Sequence, residues 1–333
     1  MLGRITIAQS RYLNPSTSER YAAYCKKHNV TPNTVYIDVK SGDKVAAHWI
    51  GNHDAENVVL YFHGGGYTQS ASDGNFIYLA RLVKDINSGK SGDRDSFAAV
   101  VLAYSLAPEA THPTQLSQAT AALHYLINTT GRSPSNIFLS GDSAGGNLAL
   151  SVLSHILHAH TDVPALTLEK PLGGMLLYSP WTGFSTDFPT FENVNLDVMS
   201  ALALRKWSAM FLGKPNPTDP EADPGPVTGD AWTEACKNDA SWWHGAANTV
   251  SDVFVAYGGD EVLKGPIVEF ERHFKAGWKE SGGDASRVLF LEGEREAHVQ
   301  PIIDIMSPRS AVKSITQNAI DAWYKARLRC EEQ

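Results

Sequence analysis

Apolar positions along the chain change period in a regular way. Residues 18–29 carry the polar-amphipathic spacing of a helix. Residues 34–39 and 44–50 alternate and read as two strands joined by the turn Ser41-Gly42-Asp43, an antiparallel edge. Residues 57–62 are continuously apolar, as a strand buried on both faces must be. Helical spacing follows over 76–87 (Phe76, Leu79, Ala80, Val83), a buried strand over 97–104, and a helix over 115–128 (Leu116, Ala119, Leu123, Leu126, Ile127). Next come a strand at 136–140, a helix from 147 to about 158 and a strand at 174–178. This alternation predicts one mostly parallel, twisted sheet with helices on both faces.

The rhythm stops near residue 183 and resumes at 252 with a strand at 253–257, a helix at 267–279, a strand at 287–291 and a closing helix at 311–328. Between them lie a helix-like run at 198–212, a stretch from 213 to 229 with five prolines, and a piece bearing Trp232, Trp242 and Trp243. Because the same sheet continues afterwards, 183–250 reads as an insertion rather than a linker. Its position over the carboxyl edge of the strands makes it a cap, roofing a pocket together with residues 1–33. The whole chain, 1–333, is then a single domain.

Chemistry concentrates at that edge. Gly141-Asp142-Ser143-Ala144-Gly145-Gly146 lies between a strand and a helix, the context of a nucleophile elbow. Small flanks let the backbone take the sharp turn, and the helix N-terminus aims N–H groups at Ser143. His63-Gly64-Gly65-Gly66-Tyr67 follows the strand 57–62. Three glycines there suit close backbone approach to a ligand, the second half of an oxyanion hole. His63 precedes the nucleophile, so a brace for the loop fits it better than a base. The order serine, acid, histidine in such sheets points to His298, in a loop after strand 287–291; His273 falls within a helix. Asp260 and Glu261 both follow strand 253–257, and spacing alone does not choose between them.

Composition narrows the function. A net charge of −8 argues against nucleic acid and anionic membranes. No apolar run reaches the roughly 20 residues of a spanning helix. Residues 1–13 hold no apolar signal core, so a cytoplasmic location is expected. The three cysteines (Cys25, Cys236, Cys330) are widely spaced and read as free thiols. His155, His158 and His160 lack a ligand spacing and read as the outer face of a helix, so no metal and no cofactor are expected.

Together these motifs, with Tyr104-Ser105-Leu106-Ala107-Pro108-Glu109, resemble the hormone-sensitive-lipase-like branch of the α/β hydrolases, especially fungal esterases and steryl acetyl hydrolases. The resemblance spans about residues 57–300 and implies the α/β-hydrolase fold with a mainly helical cap. It implies a carboxylesterase-type serine hydrolase acting on a small or medium soluble ester, with a short acyl group favoured and secondary metabolism as one setting. Oxyanion donors would be the N–H groups of Gly65, Gly66 and Ala144. The family's D-x-L register, set here by Leu263, falls on Glu261, giving a triad of Ser143, Glu261 and His298. Ser105 stands where many bacterial members have arginine, and Lys264-Gly265 where relatives place another acid. A dehydratase, cyclase or acyl transferase on the same fold is the alternative; a homodimer is left open.

Overall fold

The structure, a computed structural model, describes residues 6–88, 96–193, 197, 199–219, 221–307 and 312–328. Eight strands form one sheet: β1 (Thr34–Asp38), β2 (Lys44–Ile50), β3 (Asn57–Phe62), β4 (Phe97–Leu102), β5 (Ile137–Asp142), β6 (Gly174–Tyr178), β7 (Val253–Gly258) and β8 (Val288–Gly293). Their spatial order is β1-β2-β4-β3-β5-β6-β7-β8. The β1–β2 and β2–β4 pairs are antiparallel, and the other pairs are parallel. The expected antiparallel edge and parallel body are both present.

Ten α-helices accompany the sheet among the described residues: α1 (Ile7–Leu13), α2 (Thr17–His28), α3 (Asp73–Asn87), α4 (Thr114–His124), α5 (Ala144–Leu157), α6 (Ala201–Phe211), α7 (Ala246–Thr249), α8 (Lys264–Glu280), α9 (Gln300–Asp304) and α10 (Ile315–Leu328). The strand period of two divides the core. Leu60, Leu139, Leu177 and Val255 face one layer, with Leu148 of α5 and Phe270 of α8. Their neighbours Tyr61, Phe138, Leu176 and Phe254 face the other, with Leu79 of α3 and Trp323 of α10. Continuous apolar strands are therefore explained by burial on both sides. No described helix is long and apolar enough to cross a membrane.

One helix boundary differs from expectation. The helix expected over 115–128 ends its α-helical part at His124 and continues as a π-turn over Tyr125–Thr129. Residue 198, the expected start of the cap helix, and residue 311, that of the closing helix, lie outside the described residues, as does Cys330. The aromatic part of the insertion has partners of its own. The Trp232 indole N–H donates to His158 O (2.8 Å) and Trp242 to Ser154 Oγ (3.2 Å), both at the far end of α5. Trp243 packs against Phe270 and Phe274 of α8. Since α5 starts at the carboxyl edge, its last turns lie at the opposite end. Residues 232–250 thus run along the body to reach the start of β7, while α6 sets Trp207 against Gly66 and Phe211 against Tyr67 at the carboxyl edge.

The tightest approach in the sheet is at α5. A Cβ on Gly145 would lie 1.9 Å from Phe62 O and 2.7 Å from His63 O. Backbone atoms cannot yield as a side chain can, so α5 packs against β3 only because residue 145 has no side chain. Gly145→Ala is expected to cost about 3 kcal/mol or more in urea unfolding. Gly131→Ala, with φ +71° and open space around it, is expected to cost only about 1–2 kcal/mol. Equal losses at the two positions would contradict this account.

Candidate active site

Ser143 stands between β5 and α5 with φ 53° and ψ −117°. Such a conformation costs a non-glycine residue about 1–3 kcal/mol and persists only where its surroundings hold it. Here its N–H donates to Tyr178 O, and its carbonyl accepts from Trp181 N–H, both at 2.9 Å. The carbonyl also accepts from Asn147 N–H in the first turn of α5, at 3.0 Å.

The preceding residue, Asp142, joins the elbow to the glycine loop. Its Oδ1 accepts from Tyr61 Oη (2.6 Å), Gly64 N–H (2.9 Å) and Asn75 Nδ2 (3.1 Å). Burial pushes the Asp142 carboxyl above its ordinary range, against the opposing pull of the Tyr61 and Gly64 donors. Gly64 is tolerated there for lack of a side chain, because a Cβ would sit 2.3 Å from Asp142 Oδ2.

Gly65 and Gly66 follow with φ 105° and 58°, and Tyr67 with φ 61°. Gly65 O accepts from the N–H groups of Thr68 (3.0 Å) and Gln69 (2.9 Å), closing the loop. Tyr67 Oη donates to Asn147 Oδ1 (2.7 Å), and its ring stacks on Phe211 with centroids 3.7 Å apart. Trp207 of α6 lies against Gly66: a Cβ there would be 2.4 Å from the indole ring.

His63 is buried and stacks on Tyr104 at 4.2 Å. Its Nδ1 is 2.8 Å from Gly64 O and its Nε2 is 3.2 Å from Thr17 Oγ1. Burial lowers its pKa to about 4. Both ring nitrogens are engaged, the arrangement of a brace. Arg11 of α1 adds another clamp: it donates to the carbonyls of Thr68 and Ala107 and pairs with Glu109 (2.8 Å).

His298 is buried with its Nδ1 3.5 Å from Glu261 Oε2. That is ion-pair distance without hydrogen-bond geometry, and Nδ1 has no hydrogen-bond partner. Glu261 Oε2 itself accepts from Ser179 Oγ and from Gly258 N–H (3.1 Å). Burial disfavours the charged imidazole, but the Glu261 carboxylate outweighs it, with smaller pulls from Asp197 and Asp142, so the His298 pKa is raised. Asp260 is half-buried, and its N–H donates to Glu296 O (3.1 Å); Glu261, not Asp260, faces the imidazole.

A hydrogen-bonded connection between Ser143 and this pair runs through residues 178–181. Tyr178 and Trp181 hold Ser143, while Ser179 Oγ, between them, also accepts from Val299 N–H (3.1 Å) next to His298. His155 and His158 are engaged elsewhere, against Pro164 O (2.9 Å) and Trp242 O (2.8 Å), and His160 faces His112. The sequence reading assigned no role to Tyr61, Asn75, Ser179 or Asp197. Ser179 alone carried a local signal, as a serine directly after a buried strand at the carboxyl edge.

The chain matches the α/β-hydrolase-fold family over residues 59–281. It is 30% identical over 160 residues to arylacetamide deacetylase of Bos taurus, covering 46% of this chain and 37% of that protein. It is 26% identical over 223 residues to steryl acetyl hydrolase 1 of Saccharomyces cerevisiae, covering 62% of this chain and 45% of that protein. The chain therefore spans less than half the length of either relative. Among solved structures it is similar to carboxyl esterase 2 of Tuber melanosporum, with TM-score 0.65, 19% identity, and coverage of 90% of this chain and 88% of that one. With two thirds of its length matched and the eight-stranded sheet in place, the chain belongs to the α/β-hydrolase-fold family.

Proposed function

We propose that the chain is a carboxylesterase-type serine hydrolase, with Ser143 as nucleophile, His298 as base and Glu261 as the acid that orients and charges the imidazole. The observation that carries this reading is the buried Glu261–His298 pair, tied through Ser179 to the segment that holds Ser143 in its strained turn. His298 takes the hydroxyl proton as Ser143 attacks the ester carbonyl. The N–H groups of Gly65, Gly66 and Ala144 receive the oxyanion, each worth about 3 kcal/mol. Gly64 N–H is already engaged by Asp142, which assigns the task to its successors. His298 then protonates the leaving alcohol and activates water against the acyl-enzyme.

A short acyl group suits the site because Trp207 lies against Gly66, beside the proposed hole. Both relatives named above carry acetyl-group removal in their names, in line with this reading.

Profiling nitrophenyl esters from acetate to long chains, with labelling by a serine-directed phosphonate, tests the assignment. Ser143→Ala is expected to abolish labelling and lower turnover of the acetate ester by roughly 10⁴-fold or more. Near-normal turnover in that variant would end it. Glu261→Ala is expected to reduce activity more than Asp260→Ala; the reverse order would move the acid by one residue. The base must be neutral, so kcat/KM is expected to rise with pH through a midpoint above the ordinary imidazole value of 6.5. Glu261→Gln removes the carboxylate charge and leaves burial to dominate, so the midpoint should fall. A midpoint unchanged in that variant would separate Glu261 from the imidazole. The sign for stability follows: protonated His298 stabilises the fold below pH 6.5, and that contribution fades as pH climbs through the folded value.

A further inference from the structure

We propose that His112, His160 and Asp230 form a binding site for a divalent transition-metal ion, zinc by chemistry, that fastens the cap to the body. The three come from separate segments: His112 from the loop before α4, His160 from beyond α5, and Asp230 from the end of the proline-rich stretch. One donor atom of each lies within 4.8 Å of the other two.

The first ligand pair is nearly set. The His112 side chain is 9% exposed, and its buried Nε2 has no hydrogen-bond partner although Asp230 Oδ2 is 3.2 Å away. Zinc bonds of about 2.0–2.2 Å at tetrahedral angles place neighbouring ligand atoms roughly 3.3 Å apart. A cation between Nε2 and Oδ2 would satisfy both atoms at close to their present spacing.

Asp230 is oriented as a ligand should be. Its Oδ1 accepts from Trp232 N–H (3.0 Å), Thr233 N–H (3.0 Å) and Thr233 Oγ1 (2.9 Å), which leaves Oδ2 for the ion.

His160 needs a rearrangement. Its Nδ1 accepts from Asp162 N–H at 3.2 Å, so the neutral ring carries its proton on Nε2. Ligation through Nε2 moves that proton to Nδ1 and passes the exposed Asp162 N–H to water, with no net change in protons. The distances still to close, at most 4.8 Å, are taken up by the His160 ring, and water completes four-coordination. Trp232 packs edge-on against His160 (4.8 Å) and Phe211 against His112 (5.6 Å), walling the site with aromatic rings. Two imidazoles and a carboxylate suit zinc over magnesium or calcium.

The test is calorimetric titration of the chelator-treated, dialysed full chain with zinc chloride, followed by thermal unfolding. One-to-one saturable binding and a raised Tm are expected. His160→Ala and Asp230→Asn should each weaken binding at least ~10-fold, while Ser143→Ala binds as well as the parent. Absence of saturable uptake by the parent chain, or uptake undiminished in both variants, overturns the proposal. Cobalt gives a reading that requires no variant to fold: low-coordinate visible absorption on the parent chain supports the site, and a hexa-aquo spectrum overturns it.

Discussion

One buried carboxylate fixes the geometry on which the carboxyl edge of the sheet depends. Asp142 receives Tyr61 from β3, Gly64 from the glycine loop and Asn75 from α3 on a single oxygen. Burial already disfavours charge on this carboxyl, so it depends on its donors, and losing any of them leaves a buried polar group less well satisfied. The residue after it is Ser143 and a donor to it is Gly64, so the elbow and the glycine loop cannot drift apart independently. The close approach of Gly145 to Phe62 O enforces the same relation from the backbone side. Packing and charge thus act on one distance, that between a hydroxyl and a row of N–H groups.

The acid side is built differently. Glu261 does not meet His298 in an aligned hydrogen bond; it stands 3.5 Å away while one of its oxygens is held by Ser179 and Gly258. Its influence is mainly that of a charge in a low-dielectric setting, where a few ångströms still carry a large Coulomb term. Ser179, with φ 44°, is the residue that lets one short loop reach Ser143 on one side and the acid on the other.

The sheet was legible because its signal is local: two-sided burial makes β3 to β7 continuously apolar, and amphipathic stripes mark the helices between them. Ser143, the glycine loop and the loop bearing His298 were legible for a related reason, since each follows directly on a strand. Asp142 sat inside a recognised motif, yet its role was invisible: its partners Tyr61 and Asn75 are 81 and 67 residues away. The aromatic part of the insertion is the opposite case. Trp232, Trp242 and Trp243 read as a roof because aromatic content says how strongly a segment packs and nothing about against what. Their partners, at the end of α5 and along α8, are set only by the path the chain must take back to the start of β7.

The N-terminal segment shows how far the hydrogen-bond directions alone can carry the reasoning. Since His63 is neutral at ordinary pH, only one of its nitrogens bears a proton. Gly64 O can only accept, so that proton is on Nδ1, and Nε2 must accept from the Thr17 hydroxyl. Thr17 Oγ1 then has lone pairs left for Ala71 N–H at 3.1 Å. Every donor in this chain has one consistent direction, running from the segment after the glycine loop, through α2, back into the loop. Thr17 occupies the first turn of α2, whose start is set by the Ser16–Glu19 capping box. A cap motif on a helix remote in sequence therefore places the hydroxyl that His63 Nε2 accepts from, while the Gly64 carbonyl fixes the tautomer. Arg11 adds a second restraint from α1 at Thr68 O. The segment read from sequence only as part of a roof is, on this reasoning, also the outer wall that keeps the glycine loop in its left-handed conformation.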